Sequence, residues 1–216
     1  FDLGLVIAFA GIVGGRLWDV FFFDWEYYHN HLLEIPYIWQ GGMAIQGGII
    51  FACIAAYFYL KKHQIPVLPF ADTVTPGIIL GQAIGRIANF MNGDAFGHPT
   101  GQDFGLLYPD TTLAYHTYGA QPLWPAEVWE CQGDLLIFVL LLWYGCKTRA
   151  EGTTFCLYIM FYSLLRFFLE NYRGDYGTLA LGLKSAQLTS LAAFAGAFIL
   201  FLYFHFKYKS KSGISE

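Results

Sequence analysis

The chain has 216 residues, 56% of them hydrophobic, 19% aromatic and only 13% charged, with a net charge of −4. A soluble domain of this length carries ~25% charged residues, so the apolar excess needs a cover other than water, and lipid is the natural one. The length allows one domain, and no basic run is long enough for nucleic acid.

A membrane-crossing helix needs ~20 mostly apolar residues, within a range of ~17–25. The chain opens on "FDLGLVIAFAGIVGGRLW", already inside an apolar run, without Met and without the basic n-region of a signal peptide. The expectation is a natural chain that starts earlier. The first apolar segment covers 2–23 and the second 42–60. Between them "FFFDWEYYH" at 21–29 reads as an interfacial aromatic belt. The third covers 66–92, with "TPGIILGQAIGR" interrupting its regularity. The fourth, 133–146, is short, with an upstream end open as far as Trp124. Segments 153–171 and 187–206 complete the set. The predicted fold is an all-α, polytopic membrane helix bundle, a single domain over 1–216 with an outward-facing arm at 93–132.

The cysteines, Cys53, Cys131, Cys146 and Cys156, form no C-x-x-C pair, and three lie in apolar runs as small hydrophobes. They predict neither a disulfide framework nor a metal site, and no cofactor is expected. If the six segments alternate, Lys61, Lys62, Lys147, Arg149, Lys207, Lys209 and Lys211 share one side, seven of the twelve positive residues. The positive-inside rule makes that side, and the C-terminus, cytoplasmic.

Arg16, Arg86, Arg166, Arg173 and Lys184 remain, and the first three fall within or at the outer ends of apolar segments. An arginine at the centre of a membrane costs ~2.5–3.5 kcal/mol on insertion scales and faces a bundle interior or a watery cavity. Three on one side predict a shared polar cavity; the bland alternative is arginines tied to carboxylates or backbone carbonyls, joining helices. Glycines in "GGMAIQGG" at 41–48 and "GIILGQAIG" at 77–85 permit close helix packing or close approach of backbone to a ligand. Gln40, Gln46, Arg86 and Asn89 are interleaved with them.

The run Gly85-Arg86-Ile87-Ala88-Asn89-Phe90-Met91-Asn92-Gly93-Asp94, continuing to Gly97, resembles the signature of the prolipoprotein diacylglyceryl transferase family. Other segments follow in the family's order. "GGRLWDVFFFDWEYY" at 14–28 resembles a G-x-R segment, and "IWQGGMAIQGG" at 38–48 resembles W-x-GG-x-x-x-HGG. "QPLWPAEVWE" at 121–130 resembles the H/Q-P-x-x-L-Y-E box, "LLRFFLENYRGD" at 164–175 the R-F-x-x-E-x-x-R segment, and "SAQLTS" at 185–190 the opening of the last helix. The resemblance covers nearly the whole chain. Three departures stand out: Gln46 replaces the HGG histidine, Ala126 the box tyrosine with Glu127 kept, and His98 the arginine after the signature glycine. The family also opens with one more membrane helix, carrying a functional tyrosine.

What the resemblance implies is transfer of the sn-1,2-diacylglyceryl group of phosphatidylglycerol to the lipobox cysteine of a prolipoprotein signal peptide. A thioether forms and glycerol phosphate leaves. The setting is the bacterial cytoplasmic (inner) membrane, with the active site open toward the periplasmic or outer side. Arg86 and Arg166 match the phosphate-side arginines, and arginine's planar fork suits phosphate. Glu170, four residues after Arg166, shares its helix face and can orient it; Arg173 continues that face. Asn89, Asn92, Gly93, Gly97, Arg16, Gly47 and Gly48 complete the expected substrate-binding set. Gln46 stands at the catalytic position but cannot act as a base; His98, Asp94 and Glu127 are replacements by location. Alternatives are an inactive lipid-binding homologue and an anion transporter, the latter weakened by the lack of an internal repeat.

Overall fold

A computed structural model describes residues 2–146, 150–174 and 182–212, with side chains through 210. Lys147, Arg149 and the side chain of Lys211, which entered the charge argument, lie outside the described residues. Eight α-helices form: α1 Asp2–Phe22, α2 Trp25–Tyr28, α3 Ile45–Lys62, α4 Val67–Asn92, α5 Leu113–Tyr118, α6 Ala126–Gly145, α7 Thr153–Leu169 and α8 Ser185–Ser212. Among the described residues there is no strand, only isolated bridges such as Gly97 with Arg173. Among the described residues, four spans are long and apolar enough to cross a membrane: Asp2–Phe22, Val67–Asn92, Thr153–Tyr172 and Ser185–Ser210. Of the six expected, the other two are more polar. Helix α3 has 18 residues and ends in Lys61 and Lys62, while α6 carries Glu127, Glu130 and Asp134 in its first half.

The chain divides into two compact units, Phe1–Val67 and Leu68–Glu216. In the first, α1 and α3 approach at glycines. A side chain at Gly47 would overlap the Gly14 carbonyl and the Trp18 Cβ, so this glycine is there for contact between helices. The Gly15 carbonyl accepts from the Ala44 N–H at 3.0 Å, fastening the entry of α3 to α1.

The second unit packs α4, α6 and α7 around Ile79, Ile137 and Leu141, with Phe138, Tyr158, Tyr162 and Leu165 against them. Buried Glu127, Glu130, Asp134, Ile137 and Leu141 recur at three- and four-residue steps along α6, the period of one helix face. That face is polar at its start and apolar further on. Helix α6 begins at Ala126, within the upstream extension toward Trp124 left open for the fourth segment; its first turns are helical but not hydrophobic. Helix α4 differs from expectation: it runs unbroken through Pro76. The missing proline N–H frees the Asp72 carbonyl, a defect that membrane helices tolerate.

Asp72 itself is 6% exposed. Its carboxylate accepts from the Gly152 N–H at 2.8 Å and the Phe155 N–H at 2.9 Å, capping α7 from another helix. These are two of the N–H groups that a helix start leaves without intrahelical partners, and a negative charge there also meets the positive end of the helix dipole. Asp72→Ala is expected to lower stability by about 1–2 kcal/mol, read as the shift of the denaturation midpoint in detergent. An unshifted midpoint would show that the cap carries no load.

Candidate active site

The site is assembled from the ends of three helices of the second unit, and its centre is Glu130 on α6. Arg86, near the end of α4, donates from Nη2 to Glu130 Oε1 at 2.7 Å. Arg166, near the end of α7, lies 3.1 Å from Glu130 Oε2 and pairs with Glu170 at 2.9 Å. Arg173 reaches Glu130 at 3.6 Å, and the Tyr162 hydroxyl donates to it at 3.3 Å. Glu130 is 1% exposed. Three arginines so close together in a dry site would repel strongly, and one buried carboxylate between them supplies the counter-charge.

The support is layered. Arg86 also donates to Asn89 Oδ1 at 3.2 Å, and the Asn89 amide donates in turn to Asp94 Oδ1 at 2.5 Å. The Lys184 ammonium donates to the carbonyls of Glu170 and Arg173 at 2.8 and 2.6 Å and stands 3.9 Å from the Glu170 carboxylate. Gln187 accepts from the Lys184 N–H at 3.0 Å and donates to Asn171 at 3.1 Å. The helix start bearing "SAQLTS" thus holds the short helical turn 170–172 in place. Arg86 spends two of a guanidinium's five donors on Asn89 and Glu130. The rest of its fork is available to a phosphate-sized anion.

The arm rests on its own small core of Phe96, Ala114 and Leu123, flanked by Tyr108 and Tyr118. Gly93 adopts φ +69° where α4 ends, and a side chain there would press on Thr112. Gly97 leaves no room beside Trp124. Both glycines were expected against the substrate; in the structure they end the helix and seat the arm. Asn92 lies exposed at the end of α4. His98 is half-buried, with its Nδ1 2.9 Å from the Pro99 carbonyl, and its backbone N–H donates to Tyr172 O at 2.9 Å.

Arg16, in the first unit, is engaged by its own chain. Its Nε donates to the Ile35 carbonyl at 2.7 Å, Nη1 to Gly41 and Gly42 at 2.7 and 2.9 Å, and Nη2 to Glu34 at 3.1 Å. Gly41 and Gly42 both have positive φ, +92° and +71°, which turns two successive carbonyls toward one guanidinium. At Gly42 a Cβ would lie 2.6 Å from both Arg16 Nη1 and Asp19 Oδ2. This arginine closes the connection between α1 and α3; the bland alternative describes it correctly. Gly47 likewise serves packing, and a Cβ at Gly48 would meet the Gly11 carbonyl at 3.3 Å. Gln46 is exposed on the first turn of α3.

The residue that sequence reasoning missed is Glu130. The box P-x-x-L-Y-E can be laid on this chain from Pro122 to Glu127 or, three residues later, from Pro125 to Glu130. Only the second register puts its glutamate among the arginines, with Trp129 at the aromatic position and Ala126 no longer a departure. Glu127, fully buried, instead accepts from the Tyr108 hydroxyl of the arm.

The family model for Prolipoprotein diacylglyceryl transferase matches residues 1–203. The chain is similar to proteins named phosphatidylglycerol–prolipoprotein diacylglyceryl transferase. The one from Geobacillus kaustophilus (strain HTA426) is 38% identical over 192 residues, 88% of this chain and 71% of the relative. That of Clostridium botulinum (strain Langeland) is 39% identical over 188 residues, 86% and 73%. A third, from Verminephrobacter eiseniae (strain EF01-2), is 35% identical over 203 residues, 91% and 71%. With nearly its whole length matched by the family model, and relatives of 35–39% identity covered over more than two thirds of their length, this chain belongs to the prolipoprotein diacylglyceryl transferase family.

Proposed function

We propose that the protein transfers the diacylglyceryl group of phosphatidylglycerol to the lipobox cysteine thiol of a prolipoprotein. The observation that carries this reading is the convergence of Arg86, Arg166 and Arg173 on one buried carboxylate, a dense group of cations of the kind a phosphodiester needs. In the step itself the cysteine sulfur bonds to the glyceryl carbon as that carbon's bond to the phosphate oxygen breaks. The electron pair leaves with glycerol phosphate, and fixed cationic donors in a water-poor site stabilise that growing charge. Arg86 and Arg166 are the donors to phosphate; Glu130 and Glu170 orient them. Incubating the detergent-solubilised protein with phosphatidylglycerol and a lipobox peptide should add a diacylglyceryl mass to the peptide. Lipid binding without that mass would mark an inactive homologue.

The thiol must lose its proton before it attacks, and Gln46 cannot take it. The reading adopted is that the arginine field acidifies the thiol, with Gln46 a hydrogen-bonding positioner. Gln46→His should then fall well short of the ~10²–10⁴-fold gain of a general base. A gain of that size, with a new limb near pH ~6.5 in the pH–rate profile, would reverse this assignment.

The protein lies in the cytoplasmic (inner) membrane, with 61–65 and the tail after 206 inside and 93–132 outside. The lysines at 61, 62, 207 and 209 support that orientation. Single cysteines at positions 63, 105 and 209 should label from opposite sides, 105 alone from without. Labelling of 63 and 105 from one side would refute it.

A further inference from the structure

A cavity of about 320 Å³ lies along α7 and α8 in the second unit, lined by Tyr158, Tyr162 and Arg166 on one side and Thr189, Ser190 and Ala193 on the other. Four of its hydroxyls are hydrogen-bonded within the protein. The Thr189 hydroxyl donates to the Ser185 carbonyl at 3.1 Å and that of Ser190 to Ala186 at 2.7 Å. The Tyr158 hydroxyl donates to Gln82 at 2.8 Å and that of Tyr162 to Glu130. With these hydroxyls engaged, the groove is mainly apolar, lined by ring faces, methyls and methylenes, with Ser163 among its few polar residues. One charge is present, Arg166, at the end where α7 finishes and α8 begins. From Arg166 to Tyr158 the groove follows eight residues of helix, about 12 Å. One leaflet of hydrocarbon is about 15 Å deep, half of a ~30 Å core. A cationic mouth on an apolar slot of one-leaflet depth fits one kind of occupant.

We infer that this groove holds one acyl chain of the anionic phospholipid whose phosphate sits at Arg166, and that Thr189 and Ala193 set the chain it accepts. The inference rests on the proposed function for the identity of the lipid and goes beyond it in naming the residues that select among lipids. The α8 wall is narrow in side chain at 189 and 193, so the width of the slot is set there. Ala193 is exposed at the groove edge, outside the arginine cluster, so enlarging it alters the slot without disturbing the fold.

Two arms test this in the full chain, reconstituted in nanodiscs. In the first, Ala193→Phe is compared with Ala193→Ser and wild type on long-chain and short-chain phosphatidylglycerols. The phenylalanine should raise KM for the long-chain donor about tenfold, as for the loss of about two buried methylenes. The short-chain donor and the serine variant should change little, and kcat should hold. An unchanged chain-length profile would overturn the inference. The second arm needs no turnover: phosphatidylglycerol with a photoreactive group in mid-chain should label peptides covering 158–166 and 186–193 above other membrane-facing helices. The zwitterionic phosphatidylcholine analogue should label them less, as should phosphatidylglycerol with Arg166→Ala. Even labelling of all helices by both lipids would refute the groove. Selective labelling without thioether formation would keep the groove and remove the transferase reading.

Discussion

Glu130→Ala is expected to be the most damaging single substitution in the protein, abolishing transfer and costing about 3–5 kcal/mol of stability. The carboxylate is 1% exposed and is shared by Arg86, Arg166 and Arg173, which come from three separate elements. Without it, three cations remain in a site that water barely reaches. Glu130→Gln should preserve more of the fold, since the amide oxygen can still accept a hydrogen bond, but not the activity. Glu127→Ala should be milder, because the hydrogen bond that Glu127 accepts comes from Tyr108 of the arm, whereas Glu130 pairs directly with the arginines. Denaturation midpoints and peptide-transfer rates measured side by side would decide the matter. A Glu127 variant worse than the Glu130 variant would restore the earlier register of the box.

The second large effect is expected at Arg86. Losing one preorganised donor to a developing oxyanion costs ~10²–10³-fold in kcat, and Arg86→Ala should fall in that range. Stability should suffer less than at Glu130, because Arg166 and Arg173 remain to neutralise the carboxylate. Arg86→Lys should also be poor: an ammonium can face Glu130, but it cannot hold Asn89 and a phosphate in the same plane. Normal turnover by correctly folded Arg86→Ala protein would remove Arg86 from the chemistry.

These two predictions separate what the sequence made legible from what it hid. Arg86, Arg166 and Glu170 stood out because charge is conspicuous in apolar surroundings and because i and i+4 share a helix face, and the structure pairs the last two at 2.9 Å. Glu130 did not stand out, since two prolines three residues apart both begin an acceptable box and the choice turns on where α6 starts. Hydropathy left that start open between Trp124 and Gly133, because buried Glu127, Glu130 and Asp134 follow helical period without being apolar. Arg16 looked identical in kind to Arg86, for sequence cannot tell a guanidinium facing a ligand from one facing carbonyls of its own chain. The discriminating sign was present in Gly41-Gly42, whose positive φ values supply those carbonyls. At Gly93 and Gly97 the structure adds a packing requirement that sequence does not display, the bulk of Thr112 and Trp124.

The Asp72 cap also bears on how the cluster is levelled. Fourteen residues of α4 separate Asp72 from Arg86, and fourteen separate Gly152 from Arg166 on α7. Both distances are about 21 Å of helix. The two helices are therefore joined like the rails of a ladder with two rungs, Asp72 at the bottom and Glu130 at the top. Equal rails bring both guanidinium groups to one height. A residue inserted in either rail would raise its arginine by about 1.5 Å and swing it by about 100° around the helix, leaving the lower rung intact while the upper one could not close. Register between two helices, and not only the identity of their side chains, is thus written into the arginine-bearing end of this protein from the opposite end of the bundle.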